Sequence, residues 1–417
     1  PVVTNLPTAL VGSLIEAGNL IDGTAVAGSP TATGTLSASD VDANATQTWS
    51  IQGTPSSTYG SIAIDPSTGV WSYTLDNNKP ATQALREGQS VTQTYTARVT
   101  DDFGAFVDQT ITLTITGTND VPVVTNLPTA LVGSLIEAGN LIDGTAVAGS
   151  PTATGTLSAS DVDANATQTW SIQGTPSSTY GSIAIDPSTG VWSYTLDNNK
   201  PATQALREGQ SVTQTYTARV TDDFGAYVDQ IITLTITGTN DVPIVSGPVN
   251  LTGHENVTRT ITTAELLANA TDVDLATDLR VTNLVASAGR LLDNGDGSWD
   301  WIPPLNNTAP ITLSYQVSDG IASTMASANL ALTADYPLVV IEGTERSDVL
   351  KGTAANDYIN GRGGNDAIQA GAGKDLLIGA AGNDRIEGQQ GDDHIFATAG
   401  DGNDIIDGGL GIDTYDL

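Results

Sequence analysis

The sequence contains no cysteine, so disulfide bonds, thiolate metal sites and thiol catalysis are all excluded. It has only two histidines, His254 and His394, whose separation disfavours zinc enzymes and histidine-based catalytic triads. Lysine and arginine number 14 against 47 aspartates and glutamates, which gives a net charge of −33. Such a surface repels nucleic acid and anionic lipid, and this leaves cations as the natural partners.

Long apolar runs are also missing from the sequence. No stretch approaches the ~18 residues that a membrane-spanning helix needs, so we expect no membrane insertion. The sequence has no nucleophile elbow of the G-x-S-x-G type and no long loop that could form a catalytic cleft, so we predict that it is not an enzyme. It starts and stops within its patterns, and we therefore expect a segment of a longer protein.

The most prominent feature that is present is a long internal repeat. Residues 1–121 recur as residues 122–242 with two differences, Phe106 to Tyr227 and Thr110 to Ile231. Such near-identity favours an extender, in which copy number sets length, over a single active site. Within each copy, runs such as Val70–Leu75 alternate apolar with hydroxyl side chains. About seven such runs between turn signals predict a β-sandwich in each copy.

Two further regions follow the repeats. Residues 243–340 differ in sequence but keep the same succession of strands and turns, which predicts a third β-sandwich. Residues 341–417 change character, because glycine becomes frequent and long strands disappear. The sequence therefore predicts four domains, with boundaries at 1–121, 122–242, 243–340 and 341–417.

The last region has a nine-residue period. An aspartate recurs at this spacing, with one longer step that indicates an insertion at Ala397-Thr398, and an aliphatic or aromatic residue follows each aspartate two positions later. This matches the G-G-x-G-x-D-x-U-x pattern of a parallel β-roll. The aspartates, which we predict to be metal ligands, are Asp348, Asp357, Asp366, Asp375, Asp384, Asp393, Asp404 and Asp413.

The period also predicts how these aspartates are arranged. Two nine-residue units close one coil, so every second aspartate stacks along the same edge. Carboxylates at the strand spacing of about 4.8 Å repel each other unless a cation lies between them. Calcium suits such a site, because it takes 6–8 oxygen ligands at about 2.3–2.6 Å. One inward aliphatic residue in nine makes a thin core, so we predict that this region folds only when several Ca²⁺ ions bind.

The sandwiches carry a second acidic pattern, made of a D-x-D loop, an acidic loop before the last strand and an N-D linker. These segments are expected to meet at the junction between consecutive sandwiches, together with glutamates of the preceding sandwich. Four or more carboxylates at one junction need a cation, although the D-x-D aspartates could instead only cap turns. The predicted ligands are Glu87, Asn119, Asp120, Asp161, Asp163 and Asp222 at the first junction, Glu208, Asn240, Asp241, Asp272, Asp274 and Asp319 at the second, and Asp40, Asp42 and Asp101 at the upper end of the first copy.

Two further glutamates, Glu16 and Glu137, leave two interpretations open. Glu16 could reach the first junction and Glu137 the second as additional ligands, but Glu16 could as easily be a solvated strand residue. The sequence alone does not decide between these roles.

These motifs resemble known families. The nonapeptide region resembles the RTX repeats of proteins exported by Gram-negative type I secretion, which implies passage through the cytosol unfolded and folding outside on calcium. The D-x-D loops and N-D linkers resemble cadherin junctions, the 121-residue units resemble VCBS repeats, and residues 243–340 are similar to bacterial cadherin-like domains. The implied fold is all-β, with three tandem immunoglobulin-like or cadherin-like sandwiches followed by a parallel β-roll.

The resemblance also implies a function and partners. It implies a secreted, cell-surface RTX adhesin with a role in biofilms, in the form of an elongated monomer. Its implied partners are calcium, the type I secretion machinery and an unidentified surface ligand. The usual C-terminal secretion signal is expected beyond Leu417. Two alternatives stay open: a glycan-binding or peptide-binding groove around Trp299 and Trp301, or the calcium-binding tail of a secreted toxin or hydrolase.

Overall fold

The computed structural model of the protein describes residues 1–141, 143–274, 278–334, 338–396 and 402–416. These residues are almost entirely β-strands and turns, which confirms the predicted all-β class. The chain forms two compact units, one of residues 1–139 with 148–239 and one of residues 140–147 with 240–417. The four predicted domain boundaries remain predictions, and the insertion predicted at Ala397-Thr398 lies outside the described residues.

The first 121-residue copy is a β-sandwich. Its strands are β1 (Val2–Val3), β2 (Val11–Ile15), β3 (Gly18–Asn19), β4 (Ala25–Val26), β5 (Thr31–Thr35), β6 (Ala38–Ser39), β7 (Gln47–Gln52), β8 (Gly60–Ile64), β9 (Val70–Leu75), β10 (Ser90–Asp101) and β11 (Phe106–Thr116), with a 3-10 turn at Pro7–Leu10 and helix α1 at Pro80–Gln83. One sheet has the order β2-β11-β10-β7, and the other has the order β5-β9-β8. β10 and β11 form a long antiparallel hairpin, whereas β2 pairs with β11 in parallel.

The second copy repeats this architecture. Its strands are β12 (Val123–Val124), β13 (Val132–Ile136), β14 (Gly139–Asn140), β15 (Ala146–Val147), β16 (Thr152–Thr156), β17 (Ala159–Ser160), β18 (Gln168–Gln173), β19 (Gly181–Ile185), β20 (Val191–Leu196), β21 (Ser211–Asp222) and β22 (Tyr227–Thr237), with a 3-10 turn at Pro128–Leu131 and helix α2 at Pro201–Gln204. Its two larger sheets have the orders β13-β22-β21-β18 and β16-β20-β19.

The region after the repeats is a third sandwich. Its elements are β23 (Ile244–Val245), β24 (Val249–His254), β25 (Arg259–Thr262), α3 (Thr263–Leu266), β26 (Ala270–Thr271), β27 (Arg280–Ala286), β28 (Arg290–Asp293), β29 (Ser298–Ile302), β30 (Ile311–Ser318) and β31 (Ser323–Thr333). The sheets have the orders β24-β31-β30-β27 and β25-β29-β28. β24 again pairs in parallel with the last strand, as β2 and β13 do in the copies.

The nonapeptide region forms two parallel sheets. Its strands are β32 (Val339–Glu342), β33 (Val349–Lys351), β34 (Asp357–Asn360), β35 (Ala367–Ala372), β36 (Leu376–Ile378), β37 (Arg385–Gln390), β38 (His394–Phe396), β39 (Ile405–Asp407) and β40 (Thr414–Asp416). Even-numbered and odd-numbered strands form separate sheets, which is the arrangement of a β-roll. The core between the sheets is narrow and consists of the fully buried Ile359, Ile368, Ala370, Leu377, Ile386 and Ile395.

The sandwich cores follow from the strand alternation. In β9 the side chains of Trp71, Tyr73 and Leu75 are at most 5% exposed, and the residues between them face solvent. The indole Nε1 of Trp71 donates to the carbonyl of Ala9 at 2.9 Å, so the buried ring has no unsatisfied donor. Gly34 on the neighbouring strand leaves room for this ring.

Adding a methyl group at this glycine should therefore destabilise the sandwich. A Cβ at Gly34, or at its counterpart Gly155, would lie 2.6 Å from the tryptophan Nε1 of the same copy. We expect the double variant Gly34→Ala with Gly155→Ala to lower the free energy of unfolding of each copy by about 1–3 kcal/mol. Denaturant unfolding followed by tryptophan fluorescence measures this change.

The matched control is Thr33→Ala with Thr154→Ala, which alters exposed positions on the same strands. It should change the unfolding free energy by less than about 0.5 kcal/mol. Equal effects of the two double variants would contradict this packing argument.

Candidate metal sites

The β-roll stacks its aspartates in two columns, as the nine-residue period predicts. In each column the main-chain N–H of one aspartate donates to Oδ1 of the aspartate one coil further on, at 2.8–3.0 Å. One column holds Asp348, Asp366, Asp384 and Asp404, and the other holds Asp357, Asp375, Asp393 and Asp413. Each hydrogen bond occupies Oδ1 of a carboxylate, so Oδ2 stays available for other contacts within the turn.

The second oxygens are buried without partners in the middle of the columns. Asp366, Asp375 and Asp393 are at most 3% exposed, and their Oδ2 atoms have no hydrogen-bond partner. Burial raises the pKa of all three carboxyl groups, that of Asp375 to about 7. A buried carboxylate oxygen without a donor is unstable in this environment, so it calls for a proton or a cation.

Glycines leave the space that such a cation would fill. A Cβ at Gly361 would lie 2.3 Å from Oδ2 of Asp366, and one at Gly388 would lie 2.4 Å from Oδ2 of Asp393. The glycine five residues before the aspartate therefore keeps its carboxylate oxygen accessible from the turn. Carboxylate and carbonyl oxygens in a glycine-rich turn are the donor set that calcium prefers.

The first aspartate of each column differs from those that follow. Oδ2 of Asp348 accepts hydrogen bonds from the N–H and hydroxyl of Thr344 at 2.7 and 2.8 Å. Oδ2 of Asp357 accepts corresponding bonds from Thr353 at 2.5 and 3.1 Å. A threonine thus satisfies the oxygen that is free of partners in Asp366, Asp375 and Asp393, so the metal role of these first two aspartates has less support from the geometry.

Six of the residues predicted for the first sandwich junction meet there. The N–H of Asn119 donates to Glu87 at 3.0 Å, and its side-chain amide donates to Asp222 at 3.0 Å. The N–H of Asp120 donates to Asp163 at 3.0 Å, and the N–H of Asp163 donates to Asp161 at 3.0 Å. The N-D linker is therefore held by acidic groups of both copies.

The same junction contains carboxylate oxygens that no hydrogen bond satisfies. Oδ2 of Asp120, Oδ2 of Asp161 and Oδ1 of Asp163 are buried and have no hydrogen-bond partner. Burial, reinforced by the neighbouring aspartates, raises the pKa of Asp120 to about 6, and burial also raises that of Asp163 to about 6. Glu16 is fully buried, and burial raises its pKa to about 8. Its interpretation as a solvated strand residue is therefore wrong.

The second junction repeats this geometry within the second compact unit. The side-chain amide of Asn240 donates to Asp319 at 3.0 Å, and the N–H of Asp241 donates to Asp274 at 3.0 Å. Asp274 donates in turn to Asp272 at 2.9 Å. Oδ2 of Asp241 and Oδ2 of Asp272 are buried without partners, and burial raises the pKa of Asp241 to about 6. Glu137, also fully buried, and Glu208 belong to the first compact unit, so their place in this site stays a prediction.

The structure does not assemble a comparable site from the three residues at the upper end of the first copy. Oδ2 of Asp40 lies 3.0 Å from the amino group of Pro1. Asp42 is exposed, and Oδ1 of Asp101 accepts only from N–H groups of its own turn, those of Phe103 and Ala105. The N–H of Asp42 donates to Oδ1 of Asp40 at 3.0 Å, which is the turn cap of the alternative interpretation.

Across the part of the chain that is described, no three carboxylate or imidazole groups already converge as a finished metal site. The donor sets above depend on amide and main-chain oxygens as well as on carboxylates. Calcium accepts such mixed oxygen ligands, and its binding would draw the repelling carboxylates together.

Sequence reasoning missed Glu255 in the third sandwich. It is 3% exposed, its Oε1 has no hydrogen-bond partner, and its N–H donates to the carbonyl of Thr333 at 3.0 Å. Glu16 makes the corresponding bond to Thr116 at 3.0 Å. The signal that could have found it is a glutamate directly after the strand that pairs with the last strand.

The tryptophans considered for a ligand groove are mainly packing residues. Trp301 is completely buried in the core of the third sandwich, and its indole donates to the carbonyl of Ala288 at 2.9 Å. Trp299 is half-buried and packs against the same core. Among the described residues, no helix is long and apolar enough to cross a membrane.

Three regions match known protein families. Residues 13–117 match the bacterial cadherin-like domain, and residues 239–333 match the cadherin-like domain. Residues 342–377, 369–401 and 378–415 match the RTX calcium-binding nonapeptide repeat. No curated protein matches the chain significantly.

Cadherin ectodomains are among the solved structures that match the chain. The extracellular domain of protocadherin GammaB4 is 16% identical over 85% of this chain and 53% of its own, with a TM-score of 0.42. Drosophila N-cadherin EC1-4 is 15% identical over 79% of this chain and 75% of its own, with a TM-score of 0.31. This chain thus spans about half of the length of the protocadherin GammaB4 ectodomain. These similarities are too distant to indicate a binding partner.

The RTX match confirms the predicted cofactor, because repeats of this family bind calcium. The chain is a calcium-binding protein of bacterial surface or secreted type. The unpartnered carboxylate oxygens and glycine-lined turns of the β-roll fit several Ca²⁺ ions. The individual ligand assignments at the junctions and in the roll stay predictions.

The raised pKa values predict opposite pH dependences with and without calcium. The folded carboxyl groups of Glu16, Asp120, Asp163, Asp241 and Asp375 keep their protons to pH values between about 6 and 8. Unfolded carboxyls ionise near pH 4, so the metal-free chain should lose stability as the pH rises from about 4 to about 8. Protons compete with calcium, so the calcium-loaded chain should gain stability over the same range.

Thermal unfolding followed by circular dichroism at pH 5 and pH 8 measures both trends. Calcium is removed with a chelating resin, because soluble chelators themselves lose affinity at low pH. Parallel pH profiles with and without calcium would show that these carboxyls do not bind it.

Proposed function

We propose that the chain is a calcium-dependent segment of a secreted RTX adhesin. In this proposal the three sandwiches form an extender stalk whose linkers calcium stiffens, and the β-roll folds on calcium outside the cell and assists type I secretion. The observation that carries the proposal is the set of buried carboxylate oxygens without partners at the linkers and in the roll. The residues proposed to act are metal ligands, and none is proposed as a catalyst.

The linker contacts support the stiffening role. Asn119 and Asp120 are held through their N–H groups by Glu87 of the preceding copy and Asp163 of the following copy. The same carboxylates repel one another, and this repulsion opposes a fixed linker when no cation is present. A calcium ion that shares oxygens of both copies would restrict the angle between them.

The composition of the roll supports a folding trigger. Its core has six fully buried aliphatic residues, of which one is an alanine, while two columns of aspartates repel along its edges. Apolar burial of this extent is small beside the cost of ordering the backbone. Calcium binding would supply the missing free energy, and extracellular calcium would then make folding follow export.

The repeats support the adhesin role. The two copies differ at two positions of 121, which suits a segment that contributes length instead of a specific surface. The resemblance of these copies to VCBS repeats, and the family matches to cadherin-like domains and RTX repeats, agree with display at a bacterial surface. The surface ligand would then be bound by another part of the protein.

A substitution at the first junction tests the stalk. Asp163→Asn keeps an oxygen for the N–H of Asp120 but removes the charge of a 5%-exposed carboxylate. We expect calcium affinity at this junction to fall by about tenfold or more, because ligand charge sets the affinity of calcium sites. Isothermal titration calorimetry should show fewer high-affinity ions, and X-ray scattering should show a less extended chain.

The repeat supplies a matched control for this test. Asp42 is the counterpart of Asp163 in the first copy, has the same neighbours in sequence and is exposed. Asp42→Asn should leave the ion count and the scattering curve unchanged. Identical effects of the two variants, or scattering that does not respond to calcium in the unchanged chain, would rule out the junction as a calcium clamp.

A second pair of variants tests the folding trigger. Asp375→Asn removes the charge of a buried ligand in the roll, so more calcium should be needed to form the strand signal in circular dichroism, by about tenfold. Asp392→Asn is the control, since Asp392 is exposed and pairs with Lys374 at 2.9 Å. Strand signal of the roll that is complete without calcium would contradict the trigger.

A further inference from the structure

The two 121-residue copies also touch each other through contacts that involve no metal ion. The guanidinium of Arg86 in the first copy forms an ion pair with Asp223 of the second. The same group lies 5.0 Å from the ring centroid of Phe224, within cation–π distance. The carboxylate and the aromatic ring are consecutive residues, so one arginine engages both.

Main-chain and apolar contacts extend this interface. The N–H of Ala164 in the second copy donates to the carbonyl of Ala84 in the first at 3.2 Å. Ile21 packs against Gly225, where an added Cβ would lie 2.9 Å from its Cδ1. We call the surface formed by Val162, Asp223, Phe224 and Gly225 the receiving face of the second copy.

The first copy has the same receiving face, but no neighbouring copy packs against it. Its counterparts are Val41, Asp102, Phe103 and Gly104, and the two copies are identical at these positions. Phe103 is 84% exposed, whereas Phe224 is 41% exposed, and Val41 is 96% exposed, whereas Val162 is 48% exposed. Because the sequences agree, the difference in exposure comes from the neighbouring copy.

We propose that the receiving face of the first copy is a docking surface for another copy of the same 121-residue unit. The docking unit would present its own counterparts of Ile21, Ala84 and Arg86. Charge complementarity supports this occupant, because each unit carries an arginine at the position of Arg86, and Arg86 pairs with the counterpart of Asp102 in the second copy. In the first copy, Phe103 and Asp102 would form one side of this interface, and the arginine of the docking unit would form the other.

The third sandwich shows that this face is specific to the 121-residue units. Its turn begins with Asp319, whose carboxylate accepts from the N–H of Ile321, as Asp222 accepts from that of Phe224. Gly320 and Ile321 therefore stand at the positions of Asp223 and Phe224. With neither carboxylate nor aromatic ring, this turn cannot engage an arginine in the same way. Among the three sandwiches, the carboxylate and ring of the receiving face are therefore present only in the 121-residue copies.

The proposal is tested by extending the full chain with one more copy. A third 121-residue unit is fused directly before Pro1, which reproduces the natural step from Val121 to Pro122. Hydrogen–deuterium exchange is measured in calcium-free buffer, so that junction metal binding does not contribute. We expect the amides of residues 101–105 to exchange about five- to tenfold more slowly than in the unextended chain, approaching residues 222–226.

Substitutions in the added unit identify the contact. Replacing its counterpart of Arg86 by alanine should restore fast exchange at residues 101–105. Replacing its counterpart of Arg98 is the control, because Arg98 pairs with Asp108 on the surface of its own sheet at 2.7 Å. Unchanged exchange on extension, or equal effects of the two substitutions, would overturn the proposal. Those results would overturn this contact alone, whereas a calcium titration of the unextended chain tests the proposed function, so the two failures are distinguishable.

Discussion

Burial of like charges is the constraint on which this structure depends. Asp163 and Asp222 at the first junction, and Asp375 and Asp393 in the roll, are all less than 10% exposed although each lies beside other carboxylates. The ordinary solutions, an arginine partner or a protonated acid, are limited by 14 basic residues and by the pH at which such groups ionise. The acidic composition thus makes a divalent cation the natural counter-ion, and it confines that cation to places where the fold forces carboxylates together.

The sandwich junctions and the β-roll reach this arrangement by different routes. In the roll the nine-residue period itself stacks the aspartates, so neighbouring aspartates of a column are 18 residues apart, or 20 at the last step, and one main-chain hydrogen bond fixes each step. At the first junction the ligands come from distant loops, since Asn119 bonds Asp222 across 103 residues. In the proposed function, the whole fold of the roll therefore depends on the cation. The sandwiches have large apolar cores built around Trp71 and Trp192, so in the proposed function the cation acts on their linker and not on their cores.

These two routes explain what could be predicted from the sequence. The alternation in Val70–Leu75 predicts a half-buried strand, and the nine-residue period predicts both columns of aspartates, because local periodicity alone determines those outcomes. The hydrogen bonds of Thr344 and Thr353 to the first aspartates were missed, because the repeat pattern treats every coil alike. The burial of Glu16 and Glu255 could not be predicted from the sequence either, because it depends on which strand pairs in parallel with the last strand of the sheet. Interactions between copies, such as that of Arg86, leave no periodic signal at all.

The linker between the two copies combines two kinds of interaction with different dependences. The contact of Arg86 with Asp223 and Phe224 needs no metal, and its partly exposed ion pair contributes only modestly to stability. The carboxylates around Asn119 and Asp120 oppose one another until a cation neutralises them. In the proposed arrangement, the arginine contact therefore determines which units can be neighbours. The bound cation determines how rigid the linker between those neighbours is. In the third sandwich Gly320 and Ile321 stand where the copies have an aspartate and a phenylalanine, whereas Asp319 still accepts from the side-chain amide of Asn240 in the N-D linker.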